Sequence, residues 1–172
     1  MKMPELRNRI DKDELKRRLA QESIERVTFS FYKYVKIDNP KELRDNLFTQ
    51  WTNLNCFGRI YIAHEGINAQ MSVPKANWNE FVNQLYQDNR FTNVPFKFAV
   101  DDDGKSFYKL IIKVKDKVVA DGINDNGFDA SNTGTYLNAE GFNKAIEDSN
   151  TIVVDMRNHY ESEVGRFDNA FC

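Results

Sequence analysis

Between residues 26 and 119 the hydrophobic period of this chain switches repeatedly between two and near 3.6, and the order of those switches restricts the fold more than any single motif. From Arg26, the apolar Val27, Phe29, Phe31 and Val35 alternate with Thr28, Ser30, Tyr32, Tyr34 and Lys36, the pattern of a half-buried strand. Asn39-Pro40 opens a helix in which Leu43, Leu47, Trp51 and Leu54 recur at near-helical spacing, with Gly58 as its stop. Residues 59–63 read as a second strand and His64-Glu65-Gly66 as a tight connection. A third strand follows, with Ile67, Ala69, Met71 and Val73 opposing Asn68, Gln70 and Ser72, and Pro74 ends it. A helix over about 75–87 aligns Trp78, Phe81, Val82 and Leu85. Residues 96–100 and 106–119 predict a closing strand pair, joined as a hairpin at Asp103-Gly104.

The order strand, helix, strand, strand, helix, strand predicts an α+β, ferredoxin-like antiparallel sheet with two helices on one face, covering residues 26–120. Residues 1–25 read as a helical arm, with Leu6, Ile10, Leu15 and Leu19 as a thin apolar stripe. Arg7, Arg9, Lys12, Lys16, Arg17 and Arg18 surround that stripe, diluted by Glu5, Asp11, Asp13 and Glu14. A solvated arm packed on a neighbour and a basic RNA-contacting arm both fit this composition. Residues 121–148, with Gly122, Gly127 and Gly134, read as a linker and a short helix near 139–148. Residues 149–172 then open another domain. The apolar Ile152-Val153-Val154 breaks into Asp155-Met156-Arg157, Asn158 caps a brief helix with Glu161 three residues on, and Gly165 supplies a left-handed stop.

Charge and cysteine usage bound the function. With 24 Lys and Arg against 26 Asp and Glu the formal net charge is -2, so any recognition of a polyanion has to come from a local patch. No apolar run reaches the roughly 20 residues of a membrane span, and the charged N-terminus lacks a signal-peptide core, which predicts a cytoplasmic protein without a membrane partner. Cys56 and Cys172 share no metal spacing. Cys56, between Leu54 and Phe57, reads as a buried thiol. Nothing follows Cys172 to cradle an anion and activate it, so neither cysteine is assigned as a nucleophile.

Asp101-Asp102-Asp103-Gly104 lacks the glutamate that completes an EF-hand loop, and a polar hairpin tip accounts for the same residues without a metal. His64 and Glu65 would point in opposite directions on an extended chain, which favours turn architecture over an acid–base pair. His159 follows a cap and faces solvent. The local case for function lies on the outer face of the predicted sheet, where Tyr32 and Tyr34 on the first strand and Lys113, Lys115 and Lys117 on the last share the polar side. Rings among ammonium groups suit single-stranded RNA, with bases on rings and cations on phosphates. Tyr and Lys are also ordinary residues of a wet strand face. Both readings stand on the residues alone.

Several runs go further than periodicity. They are Phe31-Tyr32-Lys33-Tyr34, the thirteen residues from Gly58 through His64-Glu65-Gly66 to Gln70, and Val100-Asp101-Asp102-Asp103-Gly104-Lys105-Ser106-Phe107. Val119-Ala120-Asp121-Gly122, Phe128-Asp129-Ala130-Ser131-Asn132 and Asp155-Met156-Arg157-Asn158-His159-Tyr160-Glu161 complete the set. Together they resemble the rhodanese-related tRNA uridine(34) hydroxylases of bacteria. The resemblance implies an acylphosphatase-like N-terminal domain, then a rhodanese domain, and oxygen-dependent formation of 5-hydroxyuridine at the tRNA wobble position. It implies molecular oxygen as co-substrate, leaves any resident cofactor open, and makes the tRNA anticodon arm the expected partner. Asp155, Arg157, Glu161 and Gly165 match the opening motif of a rhodanese domain, where their role is mainly structural.

The essential cysteine of that family lies in a Cys-Thr-Gly-Gly-type loop, and no such loop occurs in these 172 residues. The expectation is therefore an N-terminal part, inactive alone, whose rhodanese domain belongs to the parent chain. A persulfide-handling sulfurtransferase is the alternative for the parent. A phosphatase-like enzyme is the alternative for residues 26–120, with Arg59 and Asn68 as the residue types that acyl phosphate hydrolysis uses.

Overall fold

The computed structural model describes residues 10–100, 102–118, 132 and 134–172. The chain divides into two compact units, Met1–Ser131 and Asn132–Cys172.

In the first unit, α1 (Lys12–Gln21) starts where the Asp11 carboxylate accepts from the backbone N–H groups of Asp13 and Glu14. Its Leu19 is buried; residues 1–9 of the expected arm, with Leu6, Arg7 and Arg9, lie outside the described residues. β1 (Arg26–Tyr34) leads to α2 (Pro40–Asn53), which Asn39 caps by accepting from the Glu42 N–H at 3.2 Å. Pro40 fits the first helical position because its missing N–H would have no partner there anyway. Leu43, Leu47, Trp51 and Leu54 all enter the core.

Gly58 does not stop α2. Asn55, at φ 55°, makes the left-handed turn, which an asparagine side chain tolerates. Gly58 instead lies inside β2 (Phe57–Ala63), where a Cβ would come within 2.4 Å of Met71 Cβ and 2.5 Å of the Gln70 carbonyl oxygen. Its task is close approach between β2 and β3 (Gly66–Pro74). A 3-10 turn at Lys75–Asn77 then enters α3 (Trp78–Tyr86).

The predicted closing hairpin does not form. β4 (Lys97–Phe98) pairs antiparallel with β1, whereas β5 (Leu110–Val114) pairs in parallel with β2 at the opposite edge. The sheet order is β4-β1-β3-β2-β5. The first four strands make the expected ferredoxin-like antiparallel arrangement, and β5 extends it into a mixed sheet. The reason lies in the intervening loop. Asp102 Oδ1 accepts from Gly104 N–H at 2.6 Å and Asp102 Oδ2 from Ser106 Oγ–H at 2.8 Å, so the carboxylate shapes a turn. Gly104, at φ 75°, would place a Cβ 3.1 Å from Arg26 Cβ. The segment thus crosses over the sheet at its Arg26 end instead of folding back on β4. The crossing lets Leu110 and Ile112 join the buried cluster, which an outlying hairpin would not.

The core lies between one sheet face and the helices. Phe29, Phe31, Ile60, Ile62, Ile67, Met71 and Val73 meet Leu47, Trp51, Phe81 and Leu85. Phe29 sits edge-on to Trp78 and Phe96, with centroids at 4.9 and 5.5 Å, an arrangement favoured by the ring quadrupoles.

The second unit contains α4 (Ala139–Ile146), capped by Asn138, and α5 (His159–Val164), with the Asn158–Glu161 capping box in place. The apolar run at 152–154 makes one isolated parallel bridge, Val154 to Phe171. Gly165 has φ 177°, extended backbone that any residue adopts, so the left-handed stop is corrected. The Phe142 and Phe167 rings lie 4.7 Å apart.

Candidate functional site

Alternation sends the odd residues of β1 to the core and the even ones to the outer face. Strand register then decides which neighbours they meet. Tyr32 pairs with Asn68, Asn68 with Tyr61, and Tyr61 with Lys113, forming one continuous row across four strands. The adjacent row runs Ser30, Gln70, Arg59, Ile111, with Lys97 beside Ser30 at the far edge. Tyr32 and Lys113 therefore share a face, as the alternation predicts, but β3 and β2 lie between them. That places their backbones about 14 Å apart.

The two ends of this face differ. At one end Arg26 is buried, its guanidinium donating to Ser72 Oγ at 3.2 Å and to the Asn55 carbonyl, pairing with Glu22 at 3.3 Å and lying 4.1 Å from the Phe57 ring centroid. Desolvation lowers the Arg26 pKa against the pull of Glu22. That end is covered and its charge is neutralised. The other end is open: Tyr32 is 48% exposed, Lys113 and Lys115 are exposed, and Tyr61 and Asn68 are half-buried. Lys97 Nζ lies 5.8 Å from the Tyr32 ring centroid, and Lys115 Nζ lies 5.8 Å from that of Tyr61. Tyr34 meets Tyr32 edge-on at 6.3 Å.

Arg59 and Lys113 make no ion pair among the described residues, and no carboxylate occupies an outward position on the five described strands. Lys117 is not on a strand. β5 ends at Val114, one further bond joins Lys115 N–H to the Ile62 carbonyl at 2.8 Å, and the chain then bends until Val118 N–H reaches Glu65 Oε1 at 2.8 Å. Tyr32, Tyr34, Asn68 and Val118 line a cavity of about 300 Å³ beside this bend.

His64 and Glu65 form the two-residue β2–β3 turn. His64 Nδ1 lies 2.9 Å from the Ile37 carbonyl oxygen and Glu65 holds Val118, so both serve the backbone. In the loop after β1, Val35 N–H donates to the Glu65 carbonyl and Ile37 N–H to the His64 carbonyl, so neither of these amides is available to an anion. Cys56 is buried, and desolvation pushes its thiol up to about 12. In the second unit Arg157 binds both carboxylate oxygens of Asp155, at 3.0 and 2.7 Å, and donates to the Gly165 carbonyl at 2.7 Å. That side-chain bond holds the Asp155 carboxyl down at about 2. Asp155, Arg157, Glu161 and Gly165 thus form a bracket around α5. The carbonyl of Gly165, not its flexibility, is the part in use.

The sequence reading missed Tyr61, Asn68 as part of the row, Lys97 and the buried Arg26. Alternation in β2 placed Arg59 and Tyr61 together, so their common face was readable. Their neighbours on β3 and β5 were not.

Residues 26–118, which contain the whole sheet, match the UPF0176 acylphosphatase-like domain. The chain belongs to that family. Among curated relatives, the protein named tRNA uridine(34) hydroxylase of Leptospira interrogans serogroup Icterohaemorrhagiae serovar Lai (strain 56601) is 53% identical over 165 residues, covering 96% of this chain and 45% of its own length. The protein of the same name from Escherichia coli O9:H4 (strain HS) is 53% identical over 169 residues, covering 98% of this chain and 48% of its own. The chain therefore spans about half the length of the curated relatives it matches. Among solved structures, the dark state of the BLUF protein BlrB overlays with a TM-score of 0.39 at 11% identity, covering 54% of this chain and 75% of that one. A likeness at that level carries no argument.

Proposed function

We propose that this chain is the tRNA-binding part of a tRNA uridine(34) hydroxylase, and that the open end of its sheet contacts the anticodon arm. One observation carries the reading. In a chain of net charge -2, the outer sheet face gathers Arg59, Lys97, Lys113 and Lys115 around Tyr32, Tyr34 and Tyr61, with no carboxylate on the described strands. Cations supply phosphate contacts and rings supply stacking, and together they suit an unpaired RNA segment. The name shared by relatives at 53% identity supports the same substrate class. Lys117 adds charge from the bend after β5.

The chemistry of hydroxylation is proposed to lie outside these residues. Cys56 is buried as a neutral thiol, and Cys172 is exposed with its Sγ 3.8 Å from the Ala170 carbonyl oxygen. Phosphatase activity is not favoured, since two backbone amides after β1, those of Val35 and Ile37, are spent on the 64–65 turn.

The test is a tRNA titration of the full chain at several salt concentrations. The Lys113→Ala/Lys115→Ala variant is expected to bind more weakly, with a salt slope flatter by about 0.7–0.9 per lost phosphate contact. Tyr32→Ala is expected to lose about 1–3 kcal/mol with little change in slope. Unchanged affinity in both variants would reduce the face to ordinary solvated surface.

A further inference from the structure

The open end of the face has a finer structure than a mixed patch of rings and cations. We propose that it holds two consecutive unpaired nucleotides, one on Tyr32 and one on Tyr61, with Asn68 between them meeting a base edge. This rests on the RNA-binding reading above and adds a footprint and a selectivity to it.

Three observations carry the proposal. Tyr32, Asn68 and Tyr61 occupy one row on neighbouring strands, so the two tyrosines are two strand spacings apart, about 10 Å. Bases stacked in a helical strand are separated by about 3.4 Å, so adjacent stacked bases do not reach both rings. Splayed, unpaired nucleotides do.

Each ring also has its own ammonium group, Lys97 for Tyr32 and Lys115 for Tyr61, both at 5.8 Å from the centroid. A base that stacks on the ring displaces the ammonium toward the phosphate of the same nucleotide. Each pair is then a complete nucleotide subsite, one group for the base and one for the charge.

Asn68 stands between the subsites, and its side chain makes no hydrogen bond among the described residues. It lines the cavity of about 300 Å³ with Tyr32, Tyr34 and Val118, and Glu65 fixes the Val118 wall. A carboxamide offers a donor and an acceptor side by side. Turning the amide over matches either order of donor and acceptor on a base edge. Asn68 therefore selects for an edge that is not already paired, and tolerates different bases.

The experiment compares a short single-stranded oligoribonucleotide of mixed sequence with the blunt duplex it forms with its complement. Binding to the full chain is followed by fluorescence anisotropy. The single strand is expected to bind more tightly than the duplex. Tyr61→Leu, which keeps apolar bulk but removes the ring face, is expected to weaken single-strand binding by roughly 5- to 150-fold, and Tyr61→Phe to retain it. Asn68→Ala is expected to narrow the ratio between single strand and duplex. Lys97→Ala is expected to lower the single-strand salt slope by about 0.7.

Thermal melts of each variant separate lost binding from lost folding, and the Tyr61→Phe and Tyr61→Leu pair compares two folded apolar side chains. Equal affinity for duplex and single strand overturns the proposal. So does wild-type binding by Tyr61→Leu and Asn68→Ala while Tyr32→Ala and the Lys113/Lys115 double variant still weaken; that result leaves the RNA-binding face standing. If no variant weakens binding, both readings fail together.

Discussion

Arg26 shows how a single residue closes one end of the sheet. Its guanidinium is buried against Phe57 and donates to Ser72 and Asn55, while Glu22 supplies the counter-charge. Arg26→Met keeps the volume but leaves those acceptors and Glu22 without a donor. The expected cost is about 3 kcal/mol, read from urea denaturation, because removing one partner strands the rest in a desolvated site. A variant as stable as the parent would show that the network contributes nothing. Cys56 makes a second prediction at this scale. Its thiol is raised from an ordinary 9.0 to about 12, so the folded state keeps a proton that the unfolded state releases. The stabilisation is full below pH 9 and is lost as pH rises through 12. Relative to Cys56→Ala, the stability of the parent chain should fall by about 1.4 kcal/mol per pH unit across that window. Parallel pH profiles for the two proteins would contradict the assignment.

At the scale of elements, the β2–β3 hairpin positions the candidate site. Gly66, at φ 154°, lies so close to β1 that a Cβ would meet the Lys33 carbonyl oxygen at 2.1 Å. Gly66→Ala is expected to push β3 away from β1, lower stability by about 1–3 kcal/mol, and disturb the row from Tyr32 to Tyr61. Circular dichroism melts together with RNA titration would report both effects, and a variant unchanged in both would show that the close approach is dispensable. The bracket around α5 responds to acid. Arg157 depresses the Asp155 carboxyl from 3.8 to about 2. The contribution of that pair is present above pH 4 and is lost as pH falls toward 2. The NMR signals of the Arg157 guanidinium and backbone amide, which both bond Asp155, should therefore show a transition near pH 2 in the parent chain that is missing from Asp155→Asn. An acid transition that persists in that variant would assign it to another group.

Across the whole molecule, buried apolar area is unevenly divided. The first unit owns a cluster that includes Trp51, Phe31, Phe81, Phe91, Ile60 and Ile62. The second exposes Ile152, Val154, Met156, Val164, Phe167 and Phe171, and its only bridge among the described residues joins Val154 to Phe171. Burial of a large apolar side chain contributes about 1.5–3 kcal/mol, against about 1–2 kcal/mol of backbone entropy for each ordered residue. Amide hydrogen exchange is therefore expected to be slow in β1, β2 and β3 and much faster in residues 139–172. Equal protection in both regions would mean that the second unit finds burial this chain does not display.

Local chemistry was enough to place most elements of the sheet and its helices. Alternation marked β1 and β3, Asn39-Pro40 marked the start of α2, and the pair Asn158 and Glu161 marked α5, because each signal acts within a few residues. Pairing was not local. Residues 96–100 and 106–119 look like hairpin partners in the sequence, yet each gains more at an opposite edge, since β4 adds to β1 while Leu110 and Ile112 reach the core beside β2. The candidate site divides in the same way. The alternation of β1 and β5 put Tyr32, Tyr34, Lys113 and Lys115 on one side, which follows from a period of two. That Asn68 and Tyr61 lie between them, that Lys97 and Lys115 each attend a ring, and that Lys117 leaves the strand were decided by register and by the Glu65–Val118 bond. Period is set by each residue's own neighbours along the chain. Register is set by burial that the whole sheet shares, and only the assembled tertiary structure contains it.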